Sequence, residues 1–250
     1  MAVRRQLNDQ QWLRIESFLA SERGRGRPAL DDRLFVDAVL WILRTGAPWR
    51  DLPTEFGPWQ TVFNRFDRWS KTGKWQRLFK VLQTDIDDEW ISIDSTIVRA
   101  HQHGGGKRGS QGQCIGRSRG GLSTKVHLTV DALGLPLDFI ITEGQRHDII
   151  AAPELIARSA PRCLLADKAY DTNDIRAQLD ALGAIAVIPS KVNRKPQIPH
   201  DQHLYKERAA VECTFNLLKG ARRLATRYEK TVRNYAAIVT LACVLCWLRI

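Results

Sequence analysis

The hydrophobic pattern of this chain changes character once, at DIDDEW (85–90), and that change restricts the fold more than any other feature. Before it, apolar residues recur at helical spacing. Trp12, Ile15 and Leu19 line one side of a helix beginning near Asn8. Leu34, Phe35, Ala38, Val39 and Ile42 do the same over 31–44. Phe63, Phe66, Trp69, Trp75, Leu78 and Phe79 mark a third helical run from Thr61 to Leu82. The turn-rich stretches SERGRGRPALDD and TGAPWRDLPTEFGPW separate these runs. After DIDDEW the pattern reads as strands at Trp90–Val98, Ser123–Asp131 and Leu135–Thr142, the last two joined by the turn Ala132-Leu133-Gly134. Alternation follows: helix Pro153–Arg158, strand Cys163–Asp167, helix Thr172–Leu182, strand Ala184–Pro189, a long helix around Glu212 and an apolar helix over 235–249. The order predicts an α/β (α+β) chain, a mixed sheet flanked by helices and preceded by a small all-helical domain. The expected domains are 1–85, compatible with a helix-turn-helix DNA reader, and 86–250.

Charge narrows the partner. A net charge of +11 and a pI near 9.8 favour a polyanion, either nucleic acid or an anionic membrane surface. The longest apolar run, Tyr235–Leu248, is shorter than the roughly 20 residues of a spanning helix. It reads as a buried or subunit-contacting helix, with no membrane partner. The opening MAVRRQLNDQQWLRIESFLA reads as an amphipathic helix rather than a secretory signal. Five cysteines, an odd number without framework spacing, suit a reducing compartment, so a cytoplasmic location is expected. Cys243-x-x-Cys246 lies in the apolar run without a second pair and reads as core rather than a zinc site.

Three acids suggest the chemistry. Asp94 in WISIDST and Asp167 in CLLADKAYD end apolar, strand-like runs. Glu212 lies in YKERAAVECTFNLLK (205–219), where a helix would align Tyr205, Arg208, Glu212, Asn216 and Lys219 on one stripe. Leu204, Val211, Phe215 and Leu218 form an apolar stripe beside it. Two strand aspartates and a helical glutamate can build a divalent-metal site. Each acid also has a local explanation: a turn cap for Asp94, an ion pair with Lys168 for Asp167, and partners in Arg208 or Asn216 for Glu212. The stretch 101–125 carries five basic residues and no acid. It reads as a linker or as a phosphate-tracking arm through Arg117, Arg119 and Lys125. His101 and His103 in it suit phosphate or base contact better than metal. Arg222, Arg223, Arg227, Lys230 and Arg233, with Glu229 the one acid among them, form a second phosphate-tracking candidate. The turn carrying His147 and Asp148 could approach the site, or Asp148 could cap a helix.

At these residues the chain resembles a family. Tyr205, Arg208, Glu212 and Lys219 reproduce the Y-x2-R-x3-E-x6-K motif of DDE transposases of bacterial insertion sequences. IDST and ADKAYD resemble the segments carrying that family's two aspartates. GRSRGGLSTKVH, TEGQRHD and TRYEKTVRNY resemble the group named after insertion sequence five, and WRDLPTEFGPWQTVFNRFDRW resembles its helical DNA-binding segment. The resemblance implies a ribonuclease-H-like catalytic domain whose metal ligands are Asp94, Asp167 and Glu212, holding two Mg²⁺ or Mn²⁺ ions. Arg208, Lys219 and Tyr205 would complete the catalytic set. The implied substrate is double-stranded DNA, cleaved at transposon ends, with the 3′-hydroxyl then joined to target DNA by a homo-oligomer. Two alternatives remain at this stage: a metal-dependent nuclease that cuts without joining, and a DNA-binding regulator or inhibitor of transposition without catalytic activity.

Overall fold

The chain was studied as a computed structural model, described over residues 6–22, 31–104, 112–118 and 120–249. It divides into two units, Met1–Thr84 with Leu218–Ile250, and Asp85–Leu217. In the first, helix α1 (Asp9–Ser21) starts where Asn8 and Gln11 cap each other: the Gln11 amide donates to Asn8 Oδ1 at 2.8 Å, and the Asn8 amide to Gln11 Oε1 at 3.0 Å. It buries Trp12, Ile15 and Leu19, the predicted stripe. Helix α2 (Asp32–Thr45) is capped by Asp31 and ends at Gly46. Two short 3₁₀ turns, Trp49–Asp51 and Thr54–Phe56, lead into α3 (Trp59–Lys71).

The single run expected from Thr61 to Leu82 is broken. Gly73, at φ +69°, takes the left-handed conformation that ends α3 and begins α4 (Lys74–Val81). The reversal brings Trp69 and Trp75 into one core, their rings 4.7 Å apart and both close to Phe35. Periodicity alone could not show the break, because both sides of Gly73 carry the same apolar spacing. The short α8 (Arg222–Ala225) and α9 (Val232–Trp247) complete this unit. The sequence assigns 218–250 to the second domain, whereas here these residues cluster with the N-terminal helices. α9 is buried on nearly every side and needs neighbours all round; α2, α3, α4 and α8 supply them. Cys243 and Cys246 are buried in it, and no helix among the described residues is long and apolar enough to cross a membrane.

The second unit is built on a sheet. Strands β1 (Ile91–Ala100), β2 (Gly116–Ser118), β3 (Gly121–Val130), β4 (Pro136–Glu143), β5 (Cys163–Leu165) and β6 (Ile185–Val187) include all those predicted, with β2 added. β1 pairs antiparallel with β3, and β3 with β4; β1 pairs parallel with β5, and β5 with β6. The order β4-β3-β1-β5-β6, three antiparallel strands followed by two parallel ones, is the ribonuclease-H-like arrangement. α5 (Ala152–Ser159) and α6 (Asn173–Ala181) supply the crossovers, and α7 (Ala209–Lys219) follows. Between β3 and β4, Asp131 closes the turn by accepting from the Leu135 amide at 2.7 Å. The Thr214 hydroxyl donates to Gly134 O at 2.6 Å, docking α7 onto that turn.

Candidate active site

The central pair of strands places two of the three acids. β1 and β5 run parallel with Ile91 opposite Leu164 and Ser92 opposite Leu165. Two residues further along each chain come Asp94 and Asp167, so the register carries the two carboxylates to the same end of neighbouring strands. Asp94 is half-buried, and its Oδ1 accepts from the Ser95 amide at 2.7 Å. Asp167 accepts from the Ala169 amide at 2.8 Å, capping the 3₁₀ turn Lys168–Tyr170. Neither aspartate does what its local explanation expects. Asp94 lies within β1 rather than before a turn, and Asp167 caps a 3₁₀ turn rather than pairing with Lys168; each leaves carboxylate oxygen over. Burial pushes the Asp94 carboxyl above its usual range, and the charges of Asp167 and Asp148 add to this, against the Ser95 amide and Arg208.

Arg208 ties the third acid to the first. Its guanidinium reaches Asp94 Oδ2 at 3.0 Å and also pairs with Glu212 Oε1. The stretch 205–219 is not one α-helix: Leu204–Arg208 is 3₁₀, and α7 begins at Ala209. Tyr205 and Arg208 therefore leave the predicted stripe. Tyr205 packs on the cluster of Cys163, Leu165 and Val187, with His200 edge-on at 5.4 Å. Val211, Phe215 and Leu218 are buried as expected. Lys219 is exposed, two turns along from Glu212.

A polar network beside Asp94 extends the site beyond the three acids. The Ser95 hydroxyl donates to Asp148 Oδ1 at 2.5 Å, and the Lys125 ammonium pairs with the same oxygen at 2.7 Å. Burial opposes the charge on Asp148, yet Lys125 and Ser95 together hold its carboxyl below the ordinary range. His127, also enclosed, shares a hydrogen bond with Thr142 Oγ1 at 2.8 Å, and burial depresses its pKa to about 4. The buried Tyr170 hydroxyl has no partner among the described residues. Its pKa is raised first by burial and then by the charges of Asp148, Asp94 and Asp167. The sequence marks Asp148, in the turn after the third strand, and Lys125, in the basic stretch; Tyr170 and His127 lie inside the segments ADKAYD and GRSRGGLSTKVH, with no pattern of their own to single them out.

The basic candidates divide by exposure. Arg117, Arg222 and Lys230 are exposed. Lys125, Arg223 and Arg227, expected at the surface, are instead buried and paired within the protein. Lys125 is 8% exposed and also donates to Arg146 O at 2.6 Å. Arg223 pairs with buried Glu229 at 2.6 Å, and Arg227 donates to Glu229 O at 3.1 Å. A run of like charges does not reveal which side chains a single buried acid will draw inward. Arg119 lies outside the described residues.

Three carboxylates form an all-oxygen donor set suited to a hard divalent cation. Among the described residues, however, no group of three His, Cys, Asp or Glu side chains is assembled to hold a metal ion. The Arg208 guanidinium stands between Asp94 and Glu212 as their shared cation. The donor chemistry fits a metal pair; two of the three carboxylates, those of Asp94 and Glu212, are held on an arginine instead.

Comparison with known proteins gives the family. Residues 7–79 match a family described as "Putative transposase of IS4/5 family", and residues 87–247 match one described as "Transposase DDE domain". The "Uncharacterized protein y4sN" of Sinorhizobium fredii is 44% identical over 117 residues, covering 46% of this chain and 94% of that protein. The "Putative transposase for insertion sequence element IS6501" of Brucella ovis is 41% identical over 133 residues, 51% of this chain and 100% of that protein. A solved Mos1 transposase paired-end complex with left transposon end aligns over 98% of this chain and 89% of its own at 11% identity and a TM-score of 0.30, too loose a likeness to bear on the fold. The match over 87–247 takes in Asp94, Asp167 and Glu212 and well over half of the chain, and on that ground the protein belongs to the DDE-domain transposases.

Proposed function

We propose that this transposase cleaves the ends of its element and joins the released 3′-hydroxyl to target double-stranded DNA, with Asp94, Asp167 and Glu212 as the catalytic acids. What supports this reading is the placement of the acids within one unit. The β1–β5 register brings Asp94 level with Asp167, and Arg208 joins Asp94 to Glu212. The three carboxylates would hold two divalent ions, Mg²⁺ or Mn²⁺. Bound there, such ions supply charge neutralisation at the attacking and leaving oxygens of a phosphodiester.

The chain's own residues do the rest. Arg208 offers a planar, bidentate donor suited to a phosphate. A phosphate that drew it away would free two carboxylates at the moment substrate arrives. Lys219 adds a cation along the same helix, and Tyr205 holds the 3₁₀ turn against β5. Ser95, Lys125 and Asp148 keep the Asp94 end of β1 in place. Exposed Arg117, Arg222 and Lys230 track the backbone of duplex DNA, and the N-terminal helices bind the element's ends. Pairing of two ends calls for a homo-oligomer acting in the cytoplasm on nucleoid DNA.

Glu212→Gln tests the reading. It should lower cleavage of end DNA by about 10²–10³-fold or more, the scale of losing one transition-state charge partner, and leave DNA binding intact. Unchanged cleavage would remove Glu212 from the site. A strand-transfer assay on pre-cut ends separates a transposase from a nuclease that only cuts.

A further inference from the structure

Tyr170 carries a hydroxyl for which the described residues supply no acceptor. The residue ends the 3₁₀ turn Lys168–Tyr170 and is 0% exposed. That turn is fixed on both sides. Asp167 caps its start through the Ala169 amide at 2.8 Å. Asp171, directly after it, is fully enclosed and holds Arg176 at 2.8 Å, Arg194 at 2.7 Å and the Lys191 amide at 2.8 Å. The ring is thereby locked into the interior. A buried tyrosine hydroxyl usually finds a partner, and one without costs stability that phenylalanine in the same space would not. Packing accounts for the ring but not for its oxygen.

Acids surround that oxygen. The turn Asp148–Ile150 packs on the turn that carries Tyr170. The charges of Asp148, Asp94 and Asp167 all bear on the hydroxyl, and together with burial they keep it protonated. None of the three accepts from it: Asp94 takes the Ser95 amide and Arg208, Asp148 the Ser95 hydroxyl and Lys125, Asp167 the Ala169 amide. A neutral phenol among carboxylates is a donor in reserve. Asp94 is the carboxylate with a bond to lose, since its Oδ2 lies 3.0 Å from Arg208, the guanidinium with which the proposed cations compete. Burial and two neighbouring acids oppose the charge on Asp94, so a donor that leaves must be replaced. Carboxylates that ligate a cation are themselves held by hydrogen-bond partners behind them.

We propose that the Tyr170 hydroxyl is the donor that replaces Arg208 on Asp94 when a divalent cation enters, which makes Tyr170 a positioning residue for the acid site. The assignment rests on the reading of Asp94, Asp167 and Glu212 as cation ligands and adds to it the group that orients the first of them.

The test measures Mn²⁺ binding by the full chain without DNA, from the loss of the free-ion electron paramagnetic resonance signal, alongside thermal midpoints. Tyr170→Phe keeps the ring and removes the oxygen. It should weaken Mn²⁺ binding about tenfold or more, the scale of losing a hydrogen-bond partner behind a metal ligand. Its metal-free midpoint should equal or exceed the parent's, because an unpaired buried donor is gone. A lower metal-free midpoint overturns the assignment, since the hydroxyl would then already be bonded in the folded chain. Parent-like Mn²⁺ binding overturns it too, including the case where Tyr170→Phe weakens only binding of end DNA in Ca²⁺ and the acceptor is a phosphate. Asp94→Asn, measured in parallel, separates the two readings. If it loses Mn²⁺ and Tyr170→Phe does not, the role of Tyr170 falls alone and the catalytic acids stand. If it binds Mn²⁺ like the parent, or the parent binds none, the cation site falls and the role of Tyr170 with it.

Discussion

Asp94 is the residue on which stability and chemistry pull in opposite directions. Burial raises its carboxyl pKa in the folded state above the unfolded value, so the stability this group contributes is complete below the unfolded pKa and is lost as pH rises through the folded one. Ionisation of this buried carboxyl is a liability that the proposed catalytic role would keep. Asp94→Asn should therefore abolish cleavage yet raise the thermal midpoint at pH 7, at about 2–4 °C per kcal/mol relieved for a chain of this size. A lower midpoint would show the Arg208 pair outweighing burial. His127 has the opposite sign. Its pKa falls from 6.5 to about 4 on folding, so stability present above pH 6.5 is lost as pH drops towards 4, by up to about 3 kcal/mol. His127→Gln should flatten that acid limb in urea titrations run from pH 7 to 4. Arg208 permits a third expectation at this scale. If its guanidinium competes with cations for Asp94 and Glu212, Arg208→Ala should show a larger Mn²⁺-dependent rise in thermal midpoint without DNA than the parent. An equal rise would show no competition.

At the scale of elements, most of the secondary structure was legible and the misreadings share one cause. Strands β1, β3 and β4 and helices α1, α2, α5 and α6 stand close to where periodicity and turn residues put them. The run through Gly73 and the stretch 205–219 each read as one helix and are each two elements, because apolar spacing continues across a break made by backbone conformation. The short β2, beginning with a glycine, has too few residues to show alternation. The breaks are themselves testable. Gly73 and Gly46 both have φ near +70°, so alanine strains either by about 1 kcal/mol. At Gly73 a new Cβ meets nothing closer than 3.7 Å, whereas at Gly46 it meets the Arg222 Cβ at 3.1 Å. Gly46→Ala should therefore lower the midpoint of urea unfolding more than Gly73→Ala does; the reverse order would mean that the Arg222 turn yields freely.

For the whole molecule, the net charge of +11 makes DNA binding an electrostatic property first. If six to ten phosphates are contacted, affinity for duplex DNA should fall by about 10³–10⁵ between 50 and 200 mM salt. A flat salt profile would leave the basic surface without a role. A chelator should stop cleavage and leave this binding in place, since the proposed cations belong to the catalytic acids and not to the DNA-gripping face.

By itself the sequence determined the mixed sheet and the helical N-terminal region and singled out the three acids as candidates, because period, turn chemistry and motif spacing are local properties that survive without coordinates. Tertiary structure alone decided the rest. It set the parallel register that brings Asp94 level with Asp167, joined Glu212 to Asp94 through Arg208, and turned Lys125, Arg223 and Arg227 inward. Those outcomes depend on which distant groups share a buried space, where each charge must find a partner, and no stretch of chain carries that information on its own.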